Sequence, residues 1–408
     1  MADHWIQRIA RFDRRIKMQA VAHIINALGF SMSYPFLSIY LHSERGYSMQ
    51  IVGTAFLVMG VARTVGPLIS GILCDRFGRR RALIIAPAGN IVSNLALAYC
   101  IHCHAELGTL MIFLFLIQFA SAFYLAAAET IITDITPQDQ HSEVYSLIRI
   151  AQNIGWMLGP AIGSWLVKTP YSLLFCLTAG AMAVVLFISV YYTPEVISEN
   201  DAATAGGLTA TLRRSHGFLV FNILFLLILM LSSQLVSTLS VFITKDLNIA
   251  RTTLGYAYAL NGLLIIFLQA PIIAALQRVS LGARLSLGAI LYVFGYTGLA
   301  FIQGAQGLYI CVAVLTLGEI LVMHTTMIAT ARYAPKNAVG RFFGVLGLTR
   351  GIGLTVGPFV GGFLYDRFSH HPLAFWGTLS AASLVAAVLF ISIRHPELKA
   401  GDATVRGE

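Results

Sequence analysis

Long apolar runs recur along the whole chain at intervals of roughly 30 residues, and they constrain the fold more than any other feature. A helix needs about 20 mostly apolar residues to cross the hydrocarbon core of a bilayer, and runs of that length are present throughout. Continuous stretches such as LVFNILFLLILML lack the alternation of apolar and polar residues that a membrane β-barrel requires. We predict twelve transmembrane helices, over residues 18–42, 49–73, 82–102, 108–133, 143–167, 171–193, 216–244, 253–276, 285–303, 308–332, 341–365 and 373–393.

The composition points to the same class. Of the 408 residues, 57% are hydrophobic and only 11% are Asp, Glu, Lys or Arg. An average soluble domain carries about 25% charged residues, and a soluble protein of this size could not cover its surface with so few. The predicted fold class is therefore an all-α polytopic membrane protein.

Basic residues collect in every second connection between the predicted helices, and therefore on one side of the membrane. With the N-terminus in the cytoplasm, 19 of the 27 Lys and Arg residues fall in cytoplasmic segments and five in outer loops. This positive-inside bias predicts that both termini face the cytoplasm, with the protein in a bacterial-type inner (plasma) membrane. The net charge of +9 follows this distribution and does not indicate a nucleic-acid partner. The apolar run after the basic N-terminus is too long for a cleavable signal peptide.

The two halves of the chain repeat each other. Residues 194–215 form a polar stretch between six predicted helices and six more, so we predict a cytoplasmic linker between halves 1–193 and 216–408. Residues 137–163 and 335–361 share Gly and Pro positions at a constant offset of 198 residues. Two pseudo-symmetric six-helix bundles of this kind place a cavity at their interface, near the membrane midplane. The matched pairs are Pro137 with Pro335, Gly155 with Gly353, Gly159 with Gly357, Pro160 with Pro358, and Gly163 with Gly361.

The bridge between the second and third predicted helices is unusually charged. It reads GILCDRFGRRR over residues 71–81, with one Asp and four Arg between two apolar segments. This stretch resembles the G-x-L-x-D-R-x-G-R-[KR] signature of the major facilitator superfamily, which lies in the cytoplasmic loop after helix 2. Together with the helix count and the repeat, the resemblance covers the whole chain. It implies the major facilitator fold and a transporter that works by alternating access.

The resemblance implies that this loop latches the two halves together when the cavity faces outward. Glycines allow close backbone approach, and an Asp can accept hydrogen bonds from free N–H groups at a helix start. We expect Asp134, at the end of helix 4, to pair with an arginine of the loop. For Arg80 and Arg81, a role in topology alone is the simpler interpretation. The predicted latch residues are Gly71, Asp75, Arg76, Gly78, Arg79 and Arg80.

A second stretch resembles the same loop. Residues 362–368 read GFLYDRF, but they follow helix 11, so we expect them on the outer side. The repeat of the loop should instead follow helix 8, where residues 276–284 form a degraded version without the Asp.

Helices 5 and 11 are rich in glycine and proline. Glycine at every fourth residue makes a smooth stripe for close packing, and proline permits a kink. The helix 5 pattern resembles the motif of the twelve-helix drug:proton antiporter group, which implies export, although Ser146 replaces its first glycine. Generic tight packing is the alternative. The motif residues are Gly155, Gly159, Pro160 and Gly163 in helix 5, and Gly344, Gly353, Gly357, Pro358 and Gly361 in helix 11.

Ionisable residues within the predicted helices are candidates for proton coupling. An ionisable side chain is costly to place in a bilayer, so those that occur there often serve a function. Glu319 lies near the middle of helix 10 and is the first candidate, with a fixed ion pair to an Arg such as Arg350 as the alternative. Glu129 and His324 are further candidates. The simpler interpretation of Glu129 is a structural ion pair, and that of His324 is a packing role. Helix 4 contains Gln118 but not the arginine that many antiporters carry there, so coupling through that residue is not available.

The family resemblance also implies which residues line the cavity, because helices 1, 4, 7 and 10 do so in this superfamily. The aromatic and Met residues among them suit an amphipathic or apolar compound, although they are also ordinary in membrane packing. The candidates are Asn26, Tyr34, Gln118, Ser121, Tyr124, Ser233, Ser237, Thr316 and Met323.

One short stretch suggests a different chemistry. Residues Cys100 to His104 read CIHCH, which matches the C-x-x-C-H pattern of haem attachment. Two unpaired thiols at a helix end are the simpler expectation, and a membrane electron carrier is a weaker alternative. The sequence has no nucleotide-binding loop, metal-spaced ligand set or nucleophile–base pair, so we predict neither an enzyme nor a metal or other cofactor.

These features together predict a secondary active transporter. We expect it to export small amphipathic compounds, drugs or metabolites, by proton antiport, and to work as a monomer. Its partners are then a small-molecule substrate, protons and the lipid bilayer. Proton-coupled uptake of a sugar or metabolite by symport is the alternative within transport, since the helix 4 arginine is missing and the helix 5 motif is imperfect.

Overall fold

A computed structural model describes residues 12–137, 140–166, 170–194, 216–335, 338–368 and 370–392; the side chains of residues 68, 71–77, 142 and 392 are not described. The described residues form twelve long helices and no strand, which confirms the predicted all-α polytopic fold. These are α1 (Arg14–Ile39), α2 (Met49–Phe77), α3 (Arg79–His102), α4 (Leu107–Ile135), α5 (His141–Leu166), α6 (Tyr171–Tyr192), α7 (His216–Ser232), α8 (Arg251–Ala275), α9 (Leu281–Gly298), α10 (Ala305–Tyr333), α11 (Val339–Phe368) and α12 (Pro372–Ser392).

Among the described residues, eleven helical spans are long and apolar enough to cross a membrane by length and composition. The helix outside this set is α5, whose 26 residues include Glu143, Arg149, Gln152 and Asn153. These side chains lower its apolar content, although its length still suffices to cross the hydrocarbon core.

The predicted seventh helix is interrupted, so the expectation of one continuous helix over residues 216–244 is wrong. After α7 the chain makes a 3₁₀ turn at Ser233–Leu235 and continues as a short helix at Thr238–Val241. Gln234 Nε2 donates to the carbonyls of Met230 and Gly357, at 2.7 and 2.8 Å. Polar side chains that bond nearby backbone groups compete with the helical ladder, and this weakens the helix locally.

The chain divides into two compact units. The first comprises Met1–Leu37 and Val61–Ala202, and the second comprises Ser38–Gly60 and Ala203–Glu408. About the first three turns of α2, residues 49–60, thus belong to the second unit. The predicted linker, 194–215, lies outside the described residues except for Pro194.

In the first unit, the glycine stripe of α5 packs against α1. A methyl group added at Gly155 would come within 2.6 Å of Ala27 Cβ, and one at Gly159 within 2.7 Å of the Leu28 carbonyl oxygen. The close approach lets Ser31 Oγ donate to the Gly155 carbonyl at 3.1 Å. Only a residue without a Cβ fits at these positions unless the neighbouring helix shifts.

The second unit repeats this contact between α11 and α7. A methyl group at Gly353 would lie 2.6 Å from Leu229 Cβ, and one at Gly357 would lie 2.7 Å from the Met230 carbonyl oxygen. Gly361 meets the side chain of Gln234 in the same way. Gly344 differs from the rest of its motif, because a methyl group there would meet no atom within 4 Å. The sequence repeat at an offset of 198 residues is therefore also a repeat of helix packing.

Each unit has an apolar interior and an apolar exterior. In the first unit Ile131 and Val185 are fully buried in the core, and in the second Trp376 packs edge-on against Phe242. Large apolar side chains are also exposed, among them Trp165, Phe187, Phe294 and Phe363, at 53–67%. Exposed apolar residues at this density mark a surface that contacts lipid rather than water.

Candidate functional site

The loop between α2 and α3 forms an ion pair with the end of α4. The side chains of Arg79 and Asp134 contact each other directly, and both are only partly exposed, at 12% and 21%. Gly78, which separates α2 from α3, has φ +86°, a left-handed conformation that favours glycine. A methyl group at Gly78 would meet no atom within 4 Å, so its role is conformational and does not depend on the close backbone approach that the sequence suggested.

Of the other predicted latch residues, the structure describes the side-chain contact of Arg80. Arg80 Nη2 donates to the Val190 carbonyl at 3.0 Å, near the C-terminus of α6, where a helix dipole favours a cation. Gly71, Asp75 and Arg76 lie in the last two turns of α2, and their side chains are outside the described part of the structure. The proposed latch function of the loop remains a prediction.

The intramembrane carboxylate Glu319 is hydrogen-bonded across two helices of the second unit. Asn261, on α8, donates from Nδ2 to Glu319 Oε2 at 3.0 Å and to Thr316 Oγ1 at 2.9 Å. Glu319 and Thr316 lie about one helical turn apart on α10, so they share one face of that helix. Asn261 was not identified from the sequence; its signal is an amide side chain within the apolar run of α8.

The interruption after α7 exposes backbone carbonyls to a set of hydroxyl groups in the same unit. Tyr258 OH donates to the Leu235 carbonyl at 2.5 Å, and Tyr296 OH donates to the Ser232 carbonyl at 3.3 Å. The two predicted cavity residues of this segment are buried, with Ser233 Oγ bonded to the Met230 carbonyl and Ser237 Oγ to the Ser233 carbonyl. Both hydroxyl groups are therefore bonded to backbone carbonyls of their own segment.

In the first unit, the predicted polar residues of α4 contact α3. Asn90 Nδ2 donates to Ser121 Oγ at 2.8 Å and to the Ile117 carbonyl at 3.1 Å. Gln118 and Tyr124 are buried, as is Asn26 on α1. Tyr34 is partly buried, and its ring stacks on that of Phe30 with centroids 4.5 Å apart.

The sequence also gave no indication of a buried histidine in the first unit. His23 is fully buried on α1, and its Nδ1 lies 3.3 Å from Gln152 Nε2 on α5. Its ring is 6.4 Å from that of Tyr124. The glycine stripe of α5 brings Gln152 to this position.

The remaining coupling candidates differ in their surroundings. Glu129 is exposed on α4, whereas His324 and Met323 are partly buried on α10. Arg350 Nη2 lies 3.9 Å from Met323 Sδ, and this contact joins α11 to α10.

The cysteines of the C-x-x-C-H stretch are both free thiols, with Cys100 buried and Cys103 exposed. No group of three or more His, Cys, Asp or Glu residues that could hold a metal ion is present among the described residues. Neither observation supports the electron-carrier alternative.

Long apolar helices in two units, each with hydrogen-bonded polar groups inside, define a multi-pass membrane protein. The sequence pattern of the Major Facilitator Superfamily matches residues 20–318 and 221–406 of the chain. The chain therefore belongs to the major facilitator superfamily and is a transporter, which confirms the resemblance.

The chain is similar to several bacterial transporters along most of its length. It is 24% identical to the uncharacterized MFS-type transporter YhjO of Bacillus subtilis, over 88% of each chain. It is 23% identical to a Na(+), Li(+), K(+)/H(+) antiporter of Planococcus maritimus, over 86% of this chain and 89% of that one. It is 22% identical to the multidrug resistance protein MdtH of Shigella dysenteriae, over 87% and 88% of the two chains.

Solved structures show the same fold. A mutant of the nucleoside transporter NupG superposes with a TM-score of 0.81 at 13% identity, over 94% of this chain and all of that one. A POT family transporter in complex with a thioalcohol-conjugated peptide gives a TM-score of 0.80 at 15% identity, over 94% and 96% of the two chains. At these identities the likeness concerns the fold alone. Homologous transporters imply that the substrate is a small molecule.

Proposed function

We propose that the protein exports small amphipathic compounds, drugs or metabolites, in exchange for protons by alternating access. The observation that carries this proposal is the hydrogen bond from Asn261 to Glu319, because it holds a carboxylate in place within a membrane helix. Such residues are rare in membrane spans and commonly serve ion or substrate pathways. The names of two relatives, a multidrug resistance protein and a cation/H(+) antiporter, agree with this assignment.

Competition for one carboxylate provides the coupling. When Glu319 is ionised, it accepts the hydrogen bond from Asn261 and can attract a cationic or polar group of the substrate. When it is protonated, that attraction is lost and the substrate is released. The hydroxyl of Thr316 and the apolar side chain of Met323 lie about one turn from Glu319 on α10 and are candidates for substrate contact in the second unit; Tyr34 and Gln118 are candidates in the first.

The glycine and proline motif of α5 supports export as the direction of transport. Its residues Gly155, Gly159, Pro160 and Gly163 resemble the drug:proton antiporter motif, and the structure seats the first two against α1. In this proposal the loop with Asp75, Arg76 and Arg79 acts as the cytoplasmic latch, and Asp134 is its partner. The protein lies in the inner membrane with both termini in the cytoplasm and works as a monomer.

Proton exchange is tested in inverted membrane vesicles whose interior has been acidified and is followed with a ΔpH-sensitive dye. A panel of toxic dyes, including ethidium, together with antibiotics and metabolites is added one compound at a time. Antiport gives a loss of the pH gradient on addition of a transported compound. A substrate-dependent change of the opposite sign identifies the symporter alternative.

The role of Glu319 is tested in the same vesicles. We expect Glu319→Gln to lower the substrate-dependent proton signal by about tenfold or more, because the amide cannot take up or release a proton. Glu106→Gln makes the same chemical change at an exposed position before α4 and should leave the signal unchanged. A full signal from Glu319→Gln, at equal expression, excludes Glu319 as the proton carrier without excluding export.

A further inference from the structure

We propose that Asp366 is the positioning residue of a second latch, which holds the start of α2 against the end of α11. Asp366 Oδ1 accepts a hydrogen bond from the Met49 backbone N–H at 2.9 Å, and Oδ2 accepts one from the Gln50 N–H at 2.8 Å. Both residues lie in the first turn of α2, whose N–H groups have no partner within the helix. We call Met49, Gln50 and Asp366 the Asp366 latch; all three belong to the second unit.

A carboxylate from a distant helix is an unusual cap. The side chain of a residue at the helix boundary normally fills this role, and here Ser48 Oγ accepts only from the Ile51 N–H, at 3.3 Å. The two remaining donors are satisfied by a residue more than 300 positions away in the sequence. Ending the contact between α2 and α11 therefore leaves the start of α2 without its main cap.

A seam of small residues continues from the Asp366 latch along both helices. A methyl group added at Gly362 would collide with the Met49 carbonyl, and one at Gly53 would lie 2.6 Å from the Pro358 carbonyl oxygen. About two turns further along α2, Gly60 faces Thr355 in the same way. The two helices thus touch over about three turns of α2, and Asp366 lies at one end of this seam.

Polar contacts at the same end tie neighbouring helices together within the second unit. Lys245 Nζ donates to His42 Nε2 at 2.7 Å, and His42 Nδ1 donates to the Tyr47 carbonyl at 2.7 Å, so His42 is neutral in this arrangement. Tyr365, next to Asp366, donates from its hydroxyl to Asp246 Oδ2 at 2.6 Å. The ring of His42 lies 5.9 Å from that of Tyr365, so these contacts lie beside the Asp366 latch.

The sequences at the two helix ends are related. Residues 71–77 at the end of α2 and 362–368 at the end of α11 are identical at five of seven positions, including Asp75 and Asp366. Asp75 was expected to accept from N–H groups at a helix start, and Asp366 makes that contact with the start of α2. With the proposed orientation, the two stretches lie on opposite membrane faces. GFLYDRF is thus a second copy of the latch chemistry on the outer side, where the sequence alone gave it no role.

The consequence for transport is a bias between conformations. Any opening to the outside that moves the first turns of α2 away from α11 must break both hydrogen bonds of Asp366. The latch therefore favours the state in which this end is closed, and its loss shifts the population towards the open state. This inference rests on membership of the superfamily and not on the direction of transport or the coupling ion.

The test is labelling of single cysteines by a membrane-impermeant maleimide added outside intact cells. The five native cysteines are first replaced by Ser, and the reporter is Met59→Cys, a buried position three turns into α2. We expect Asp366→Asn to raise the labelling rate at this reporter by about two- to thirtyfold, the range that corresponds to the loss of a helix cap. Asp366→Glu should restore part of the parent rate, because it retains the carboxylate.

Three controls make the result decisive. Arg367→Ala removes the neighbouring exposed charge and should leave the rate unchanged. Ser43→Cys, exposed before α2, should label in every background; if it does not, the proposed orientation is wrong and the Asp366 latch lies inside.

Val52→Cys, in the first turn of α2, distinguishes local fraying of this turn from separation of α2 and α11. If Asp366→Asn raises labelling at Val52→Cys but leaves Met59→Cys at the parent rate, Asp366 is only a local cap and the latch proposal is overturned.

Discussion

Two carboxylates in the second unit, Glu319 and Asp366, accept hydrogen bonds of different kinds. Glu319 accepts from the side-chain amide of Asn261, which lies on the neighbouring helix α8. Asp366 accepts from two backbone N–H groups at the start of α2. The first bond joins two side chains of neighbouring helices, whereas the second pair of bonds joins a side chain to the backbone at a helix start.

The pair of Arg79 and Asp134 leads to a prediction at the same scale. Because both side chains are largely removed from solvent, we expect a coupling energy of about 1 to 2 kcal/mol, between the values for exposed and buried pairs. A double-mutant cycle with Arg79→Ala and Asp134→Ala, read from unfolding of the purified protein in detergent, measures it. Arg81→Ala removes an exposed charge of the same loop and serves as the control. Additive effects of the two single changes would show that the pair is not coupled.

The sequence anticipated this pair because Arg79, in the bridge after α2, and Asp134, at the end of α4, lie on the same predicted face of the membrane. It did not anticipate Asn261, since amide side chains occur in many membrane helices and only the packing of α8 on α10 brings this one to Glu319. His23 was missed for the same reason: its neighbours Gln152 and Tyr124 come from α5 and α4.

At the scale of helices, the same packing device is used twice. The α5 stripe meets α1 in the first unit, and the α11 stripe meets α7 in the second. Each contact places a polar side chain of the partner helix on a backbone carbonyl of the stripe, Ser31 on Gly155 and Gln234 on Gly357. Side-chain hydrogen bonds of this kind add to van der Waals packing in holding membrane helices together.

Replacing Gly159 tests the stripe. The added methyl group of Gly159→Ala meets Ser31 and the Leu28 carbonyl, so we expect a loss of about 1 to 3 kcal/mol of stability from overpacking. Gly180→Ala, on α6, adds the same group where nothing lies within 4 Å, and should be neutral or stabilising because alanine favours helix. Thermal unfolding of the two variants in one detergent provides the comparison. Equal midpoints would mean that α5 and α1 adjust without cost.

The sequence could not anticipate the interruption after α7. A hydrophobic run of this length predicts a helix, and Ser, Gln and Thr within it are compatible with one. What ends the helix is a partner: Gln234 reaches the Gly357 carbonyl of α11, and that bond competes with regular geometry. A competition of this kind depends on a helix more than 100 residues away, which local sequence does not describe.

At the scale of the whole molecule, the charge distribution leads to a topology prediction. Because 19 of the 27 Lys and Arg residues lie in the segments assigned to the cytoplasm, we expect a fluorescent protein fused after Glu408 to be fluorescent. Alkaline phosphatase at the same position should be inactive, whereas a truncation fusion at Gly46, in the first outer loop, should be active. The reverse pattern would show that the protein has the opposite orientation, and that the two latches lie on the opposite membrane faces from those proposed.

The sequence by itself determined the class of the protein. Twelve apolar runs, the positive-inside bias, the glycine and proline repeat and the loop of residues 71–81 each follow from local composition, because a bilayer selects strongly for helix length, apolar content and charge position. Tertiary structure decided which polar groups meet. The Asp366 contact with the start of α2, the Asn261 contact with Glu319 and the interruption after α7 all join residues far apart in the chain. A hydrogen bond requires its two atoms to lie within about 3 Å, and only the packing of whole helices fixes distances on that scale.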